Sequence, residues 1–118
     1  MNARQKSIQI LQDAVKNKTL GAYKGAKDCR YYDKVTDSCC AVGTLIPREE
    51  LMQYVDDSGN VSVIGGFEEI SHILNGNVLN NNTGLTKEEL TQLQIHHDDI
   101  ISLGQNPMHF ESYVASLV

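Results

Sequence analysis

The chain has 118 residues, ten Lys and Arg against fifteen Asp and Glu, and a formal charge of -5. That length gives room for one domain with a real core. A 21% charged content, nine Gly and two Pro exclude a disordered acidic tail and a low-complexity linker.

Residues 3–18 are predicted to form an amphipathic helix. Ile8, Leu11, Ala14 and Val15 make one stripe of a 3.6-residue period, and Ile10 widens it. Asn17 and Gly21 act as stop signals. Residues 22–38 change character. Tyr23, Tyr31, Tyr32 and Val35 stand among Gly25, Asp28, Asp33, Asp37 and Ser38. Aromatic and β-branched residues between turn formers predict short strands or a hairpin, turning at Asp33-Lys34 or Thr36-Asp37. Residues 39–46, Cys-Cys-Ala-Val-Gly-Thr-Leu-Ile, are an apolar run of small residues and the expected centre of the core.

Pro47 suits a first helical turn, and Glu49 and Glu50 favour a helix N-terminus there, with Leu51, Met52, Tyr54 and Val55 completing a short helix. Asp57-Ser58-Gly59-Asn60 is a turn. Val61, Val63 and Ile64 around Ser62 read as a brief strand ended by Gly65-Gly66. A helix is expected over residues 67–75, with Phe67, Ile70, Ile73 and Leu74 on one face, then a polar loop to Gly84. Thr86 and Glu89 form a capping box that starts a helix over about residues 87–103. Leu90, Leu93, His97, Ile100 and Ile101 are its inner stripe. Asn106 and Pro107 open a last helix carrying Phe110, Tyr113, Val114 and Leu117. The expected fold class is α+β: a mostly helical single domain over residues 1–118. It has about five helices and a small antiparallel β element from residues 28–38 and 60–65.

Three cysteines, Cys29, Cys39 and Cys40, are an odd set with two adjacent, which argues for reduced thiols rather than a disulfide framework. The first twenty residues lack the unbroken apolar run of a secretory signal, and no stretch matches a membrane span, so a cytoplasmic location is expected. The acidic balance argues against direct nucleic-acid binding. Lys16, Lys18, Lys24, Lys27 and Arg30 outweigh Asp13 and Asp28 and make the first quarter basic. This is either a polarised docking surface or ordinary solvated charge.

Cys39 and Cys40 have two readings. Small buried core residues is one. The other is a nucleophile at a helix N-terminus, with His97 or His72 as base and Asp98 as orienter. That second arrangement would make the protein a small cysteine-dependent hydrolase or amidase. His97 lies on the apolar stripe, which fits a hydrogen-bonded core histidine as well as a base. Adjacent His96 and His97 point about 100° apart on a helix and suit no shared metal, so neither a metal nor another cofactor is expected. Gly65-Gly66-Phe67 could cradle an anion, but strand-to-helix turning explains it, and Glu68 and Glu69 would repel an anion. Glu49, Glu50, Glu68, Glu69, Glu88 and Glu89 follow helix N-termini, where the dipole accounts for them. Asp56, Asp57, Asp98 and Asp99 lack that account and, with His96, are the binding candidates.

Two stretches together resemble a known group. One is Tyr31-Tyr32 with Ser38-Cys39-Cys40-Ala41-Val42-Gly43-Thr44-Leu45. The other runs from Gly84-Leu85-Thr86 to Leu93, then His97-Asp98 and Phe110 through Val114 to Leu117. The chain is similar to small bacteriophage and prophage accessory proteins with a Tyr-x-Cys-Cys-x-x-Gly-x-Leu segment and a later Asn-Asp helix. Val42 stands where that group carries Leu, and His97 where it carries Asn. The group has mostly no assigned activity. The resemblance implies a non-enzymatic protein that binds and inhibits a bacterial host or antiviral-defence protein with a basic surface. A CRISPR-type nuclease complex is among such targets. A homo-oligomeric accessory without a catalytic site is the remaining expectation.

Overall fold

A computed structural model describes residues 2–27, 30–62 and 83–118. Helix α1, Ala3–Asn17, opens on a capping box. The Asn2 side chain accepts the Gln5 N–H, and the Gln5 side chain accepts the Asn2 N–H. It buries Ser7, Ile8, Leu11 and Ala14 with Val15 half-buried, whereas Ile10, expected to widen the stripe, is exposed because it points away from it. The helix ends at Lys18 in the left-handed conformation. A single helical turn, α2 (Gly21–Lys24), follows within the stretch expected to be extended.

The β element is a three-stranded antiparallel sheet in the order β2-β1-β3. Strand β1 is Arg30–Asp33, β2 is Ser38–Cys39 and β3 is Val61–Ser62. Tyr32 pairs with Cys39 on one side and with Val61 on the other. The β1–β2 turn takes all of residues 34–37, and Asp37 supplies its positive φ. Thr36 Oγ1 donates to Asp33 at 2.8 Å, and Tyr32 Oη donates to Asp37 at 2.7 Å. Side chains at both ends of the loop thus set the register of the hairpin. Asn60 joins the second turn to the first by accepting the Lys34 N–H at 2.8 Å.

The chain leaves β2 at Cys39 and enters α3, Ala41–Leu45, at once. Helix α4, Arg48–Leu51, begins right after Pro47 and tightens into a 3₁₀ turn at Met52–Tyr54. Helix α5, Lys87–Ser102, starts at the Thr86–Glu89 capping box, and α6 is Met108–Ser116. The Asn106 side chain accepts the Met108 N–H at 2.9 Å.

The predicted core centre holds. Cys40, Ala41, Val42 and Ile46 are buried against Leu11, Leu20, Tyr31, Leu90, Leu93 and Phe110 in one hydrophobic cluster. Ile100 packs at its margin, and Tyr113 is half-buried. The molecule is therefore an α+β fold, mostly helical. One long-range clamp ties its ends. Arg4 donates both guanidinium arms to Glu89 at 2.7 Å and reaches the Leu117 carbonyl at 3.4 Å. The guanidinium holds the Glu89 carboxyl down at about 2.

Val63 and Ile64, the Gly65-Gly66-Phe67 turn, the helix over residues 67–75 with Glu68, Glu69 and His72, and the loop through residue 82 lie outside the described residues. So do Asp28 and Cys29.

Candidate functional site

The structure brings Cys40, His97 and Asp98 into one interior region and adds a residue the sequence reading passed over, Gln94. Each has a defined task. Helix α3 is only five residues long, and its first N–H groups have no partner within the helix. Cys40 is the N-cap, and its Sγ accepts the Gly43 N–H at 3.3 Å. The Val42 N–H is met from across the core by Gln94 Oε1 at 3.1 Å. The amide nitrogen of Gln94 donates to Asp98 Oδ1 at 2.8 Å.

His97 does the same for α2. The Ala22 N–H donates to His97 Nε2 at 3.3 Å. A backbone N–H only donates, so Nε2 carries a lone pair and the ring proton sits on Nδ1. Nδ1 is 3.1 Å from Asp98 Oδ1, the oxygen that also receives Gln94. The ring is 1% exposed and meets Phe110 edge-on at 5.9 Å between centroids. Two α5 side chains, one turn apart, therefore cap two other helices, and one carboxylate orients both.

This geometry differs from that of a cysteine nucleophile. A nucleophilic thiol is partly exposed and held at low pKa. Burial pushes the Cys40 thiol well up, and the Gly43 N–H only partly opposes it. The imidazole lone pair, which would take a proton from sulfur, already accepts the Ala22 N–H. Cys39 is half-buried, and burial raises its thiol too, against the nearby Arg48 guanidinium. It lines a cleft of about 360 Å³ with Gly43, Thr44, Ile46, Pro47, Arg48, Leu51 and Met52. Arg48 lies over the Tyr32 ring at 5.1 Å and pairs with Asp37. Iodoacetamide followed by intact-mass analysis checks these states. Cys39 is expected to label at a measurable rate in native buffer. Cys40 is expected to label only once denaturant opens the fold.

The binding candidates fall on two elements. Asp56 and Asp57 precede β3, and both are exposed. Asp56 Oδ1 accepts the Ser58 and Asn60 N–H groups at 2.9 and 3.0 Å, so it shapes the turn. His96, Asp98 and Asp99 lie on the last turns of α5. His96 is half-buried and tilted on the Tyr113 ring at 5.1 Å. Asp99 lies in the last turn of α5, and its carbonyl accepts the Leu103 and Gln105 N–H groups that close the helix. Asp98 works inward, as described. Glu111, on the first turn of α6, accepts the Tyr23 hydroxyl at 3.1 Å.

Among the described residues no group of three or more His, Cys, Asp and Glu is arranged to hold a metal ion. None of their helices is long and apolar enough to cross a membrane. The sequence signal for Gln94 was available: a polar residue on the stripe of Leu90, Leu93 and His97 must be buried and must find partners. No known protein family, curated protein or solved structure matches this chain.

Proposed function

We propose that this chain is a non-enzymatic accessory protein of the phage or prophage kind that its sequence resembles. It binds and inhibits a bacterial host or antiviral-defence protein, a CRISPR-type nuclease complex being one such target. It works in the bacterial cytoplasm and uses no cofactor. One observation carries the reading. Among the described residues, Cys40, Gln94, His97 and Asp98 already hold α2 and α3 in place. This favours a surface role over a reaction at that cluster. The chain as a whole has a formal charge of -5, which steers the protein toward basic partners such as those that handle nucleic acid. Asp57 and Asp99 are the carboxylates best placed to take part, because Asp56 and Asp98 also serve the fold.

The test is capture from bacterial lysate by the tagged protein, at low and high salt, beside an Asp57→Lys/Asp99→Lys variant. A partner held by the wild type, released by salt and weakened at least tenfold in the variant is the expected result. The captured protein's own activity should fall when it is bound. Absence of any partner, or a chain that associates only with itself, would count against the proposal.

A further inference from the structure

His97 is a buried titratable residue joined to two elements through different nitrogens. Nε2 accepts from the Ala22 N–H at 3.3 Å, and Nδ1 faces Asp98 at 3.1 Å. These two contacts respond oppositely to a second ring proton. The Nδ1–Asp98 contact survives, and it strengthens into a charge-assisted pair. The Ala22 contact cannot survive, because both of its nitrogens would then be donors.

We infer that His97 is a built-in release for α2: protonating its ring lets go of the Gly21–Lys24 turn while Asp98 keeps the ring in place. The surroundings make the event local. On α5 the neighbouring groups are Asp98, whose Oδ1 faces the ring, and Gln94, which donates to that same oxygen. From α6 come the uncharged edge of Phe110 and, beyond it, Glu111, which accepts the Tyr23 hydroxyl. From α2 come Ala22 and Tyr23 itself. Tyr31 of β1 and Cys40 at the head of α3 are buried in the same interior, and burial pushes both the hydroxyl and the thiol up. No positive side chain among the described residues is hydrogen-bonded to the ring, and one carboxylate is in direct contact with it. Asp98 is therefore the group that keeps hold of the ring through Nδ1.

Helix α2 is suited to be the part that yields. It is four residues long, below the length at which a helix supports itself. The Leu20 side chain supplies no cap hydrogen bond. The Ala22 N–H has no acceptor on its own helix, whereas Tyr23 and Lys24 donate to the Leu20 carbonyl. Its other ties include the Leu20–Cys39 bridge to β2, the Tyr23–Glu111 hydrogen bond, the Lys24 ammonium on the Asp37 carbonyl at 3.4 Å and Lys18 over the Tyr23 ring at 5.5 Å. Release at Ala22 thus loosens one turn and leaves the α1–α5–α6 core closed.

The experiment follows two signals on one set of samples from pH 7.5 to 5.0. The His97 ring is read from its own carbon-bound proton resonances. The Ala22 and Tyr23 amides are read as protection factors corrected for intrinsic exchange. In the wild type, protection at Ala22 and Tyr23 is expected to fall at least tenfold in step with the ring's titration. Amides of α1 should hold theirs. A His97→Gln variant keeps an acceptor without a titrating ring, so its Ala22 protection should stay flat. Unchanged Ala22 protection on a protonated ring overturns the inference, and so does a ring that stays neutral until the whole domain unfolds. An equal loss in His97→Gln overturns it too. Should that variant fail to fold, the wild-type pair of signals still decides.

Discussion

Replacing Gly43 with alanine is expected to destabilise the protein by about 3 kcal/mol, the upper end of what overpacking usually costs. The Gly43 backbone is ordinary helix, so propensity alone would favour alanine by about 0.5–1 kcal/mol. Packing reverses the sign. A Cβ at Gly43 would lie 3.0 Å from the Tyr31 carbonyl carbon, 3.1 Å from the Tyr31 Cα and closer still to the carbonyl oxygen. These are backbone atoms of the central strand and cannot rotate aside. Helix α3 would have to lift from β1, and the Gln94–Val42 and Cys40–Gly43 bonds would stretch with it. Gly25→Ala is the comparison. It meets nothing within 4 Å but has a φ of +82, so it should cost only about 1 kcal/mol through backbone strain. Urea unfolding of the three proteins measures both differences. A Gly43→Ala midpoint at or above that of Gly25→Ala would show that α3 is not packed on β1 as described.

What the sequence made legible follows the range of the forces involved. The Thr86–Glu89 box lies within four residues and placed the start of α5. The start of α1 was legible too, from the apolar stripe, and an equally local box between Asn2 and Gln5 fixes it at Ala3. The apolar run at residues 39–46 marked the core, because so many small apolar side chains must be buried, yet it could not say strand or helix. The answer, strand to Cys39 and helix from Ala41, depends on Gln94 capping Val42 from 52 residues away. Helix α2 was illegible for the same reason, since its cap arrives from His97, 75 residues along the chain. The Arg4–Glu89 clamp spans 85 residues and left no local trace. His97 and Asp98 stood out in the sequence as a base and its orienter or as binding residues, whereas the structure gives them capping and orienting contacts inside the fold. That role is visible only once Ala22 is seen to donate to the ring.

Gln94→Leu is expected to cost about 2–3 kcal/mol, although leucine matches the apolar stripe and has the higher helix propensity. Gln94 is 6% exposed, so no water stands ready to replace what it supplies. Its loss leaves the Val42 N–H buried without an acceptor, a penalty of about 1–3 kcal/mol. Asp98 Oδ1 also loses a donor and keeps the His97 ring. Gln94→Glu separates the two halves of this argument. A carboxylate there can still accept the Val42 N–H, but it faces the Asp98 carboxylate where an amide donated before. Like charges at that distance disfavour the doubly ionised state. The variant's deficit relative to wild type should therefore be larger at pH 7.5 than at pH 5.0, where protonating the introduced group restores a donor. Gln94→Leu should show no such trend from this site. Paired unfolding curves at the two pH values read the difference directly. A Gln94→Leu protein as stable as wild type would mean that α3 does not rely on α5 for its cap. The same fault would then extend to the contacts that seat Cys40 at the head of α3.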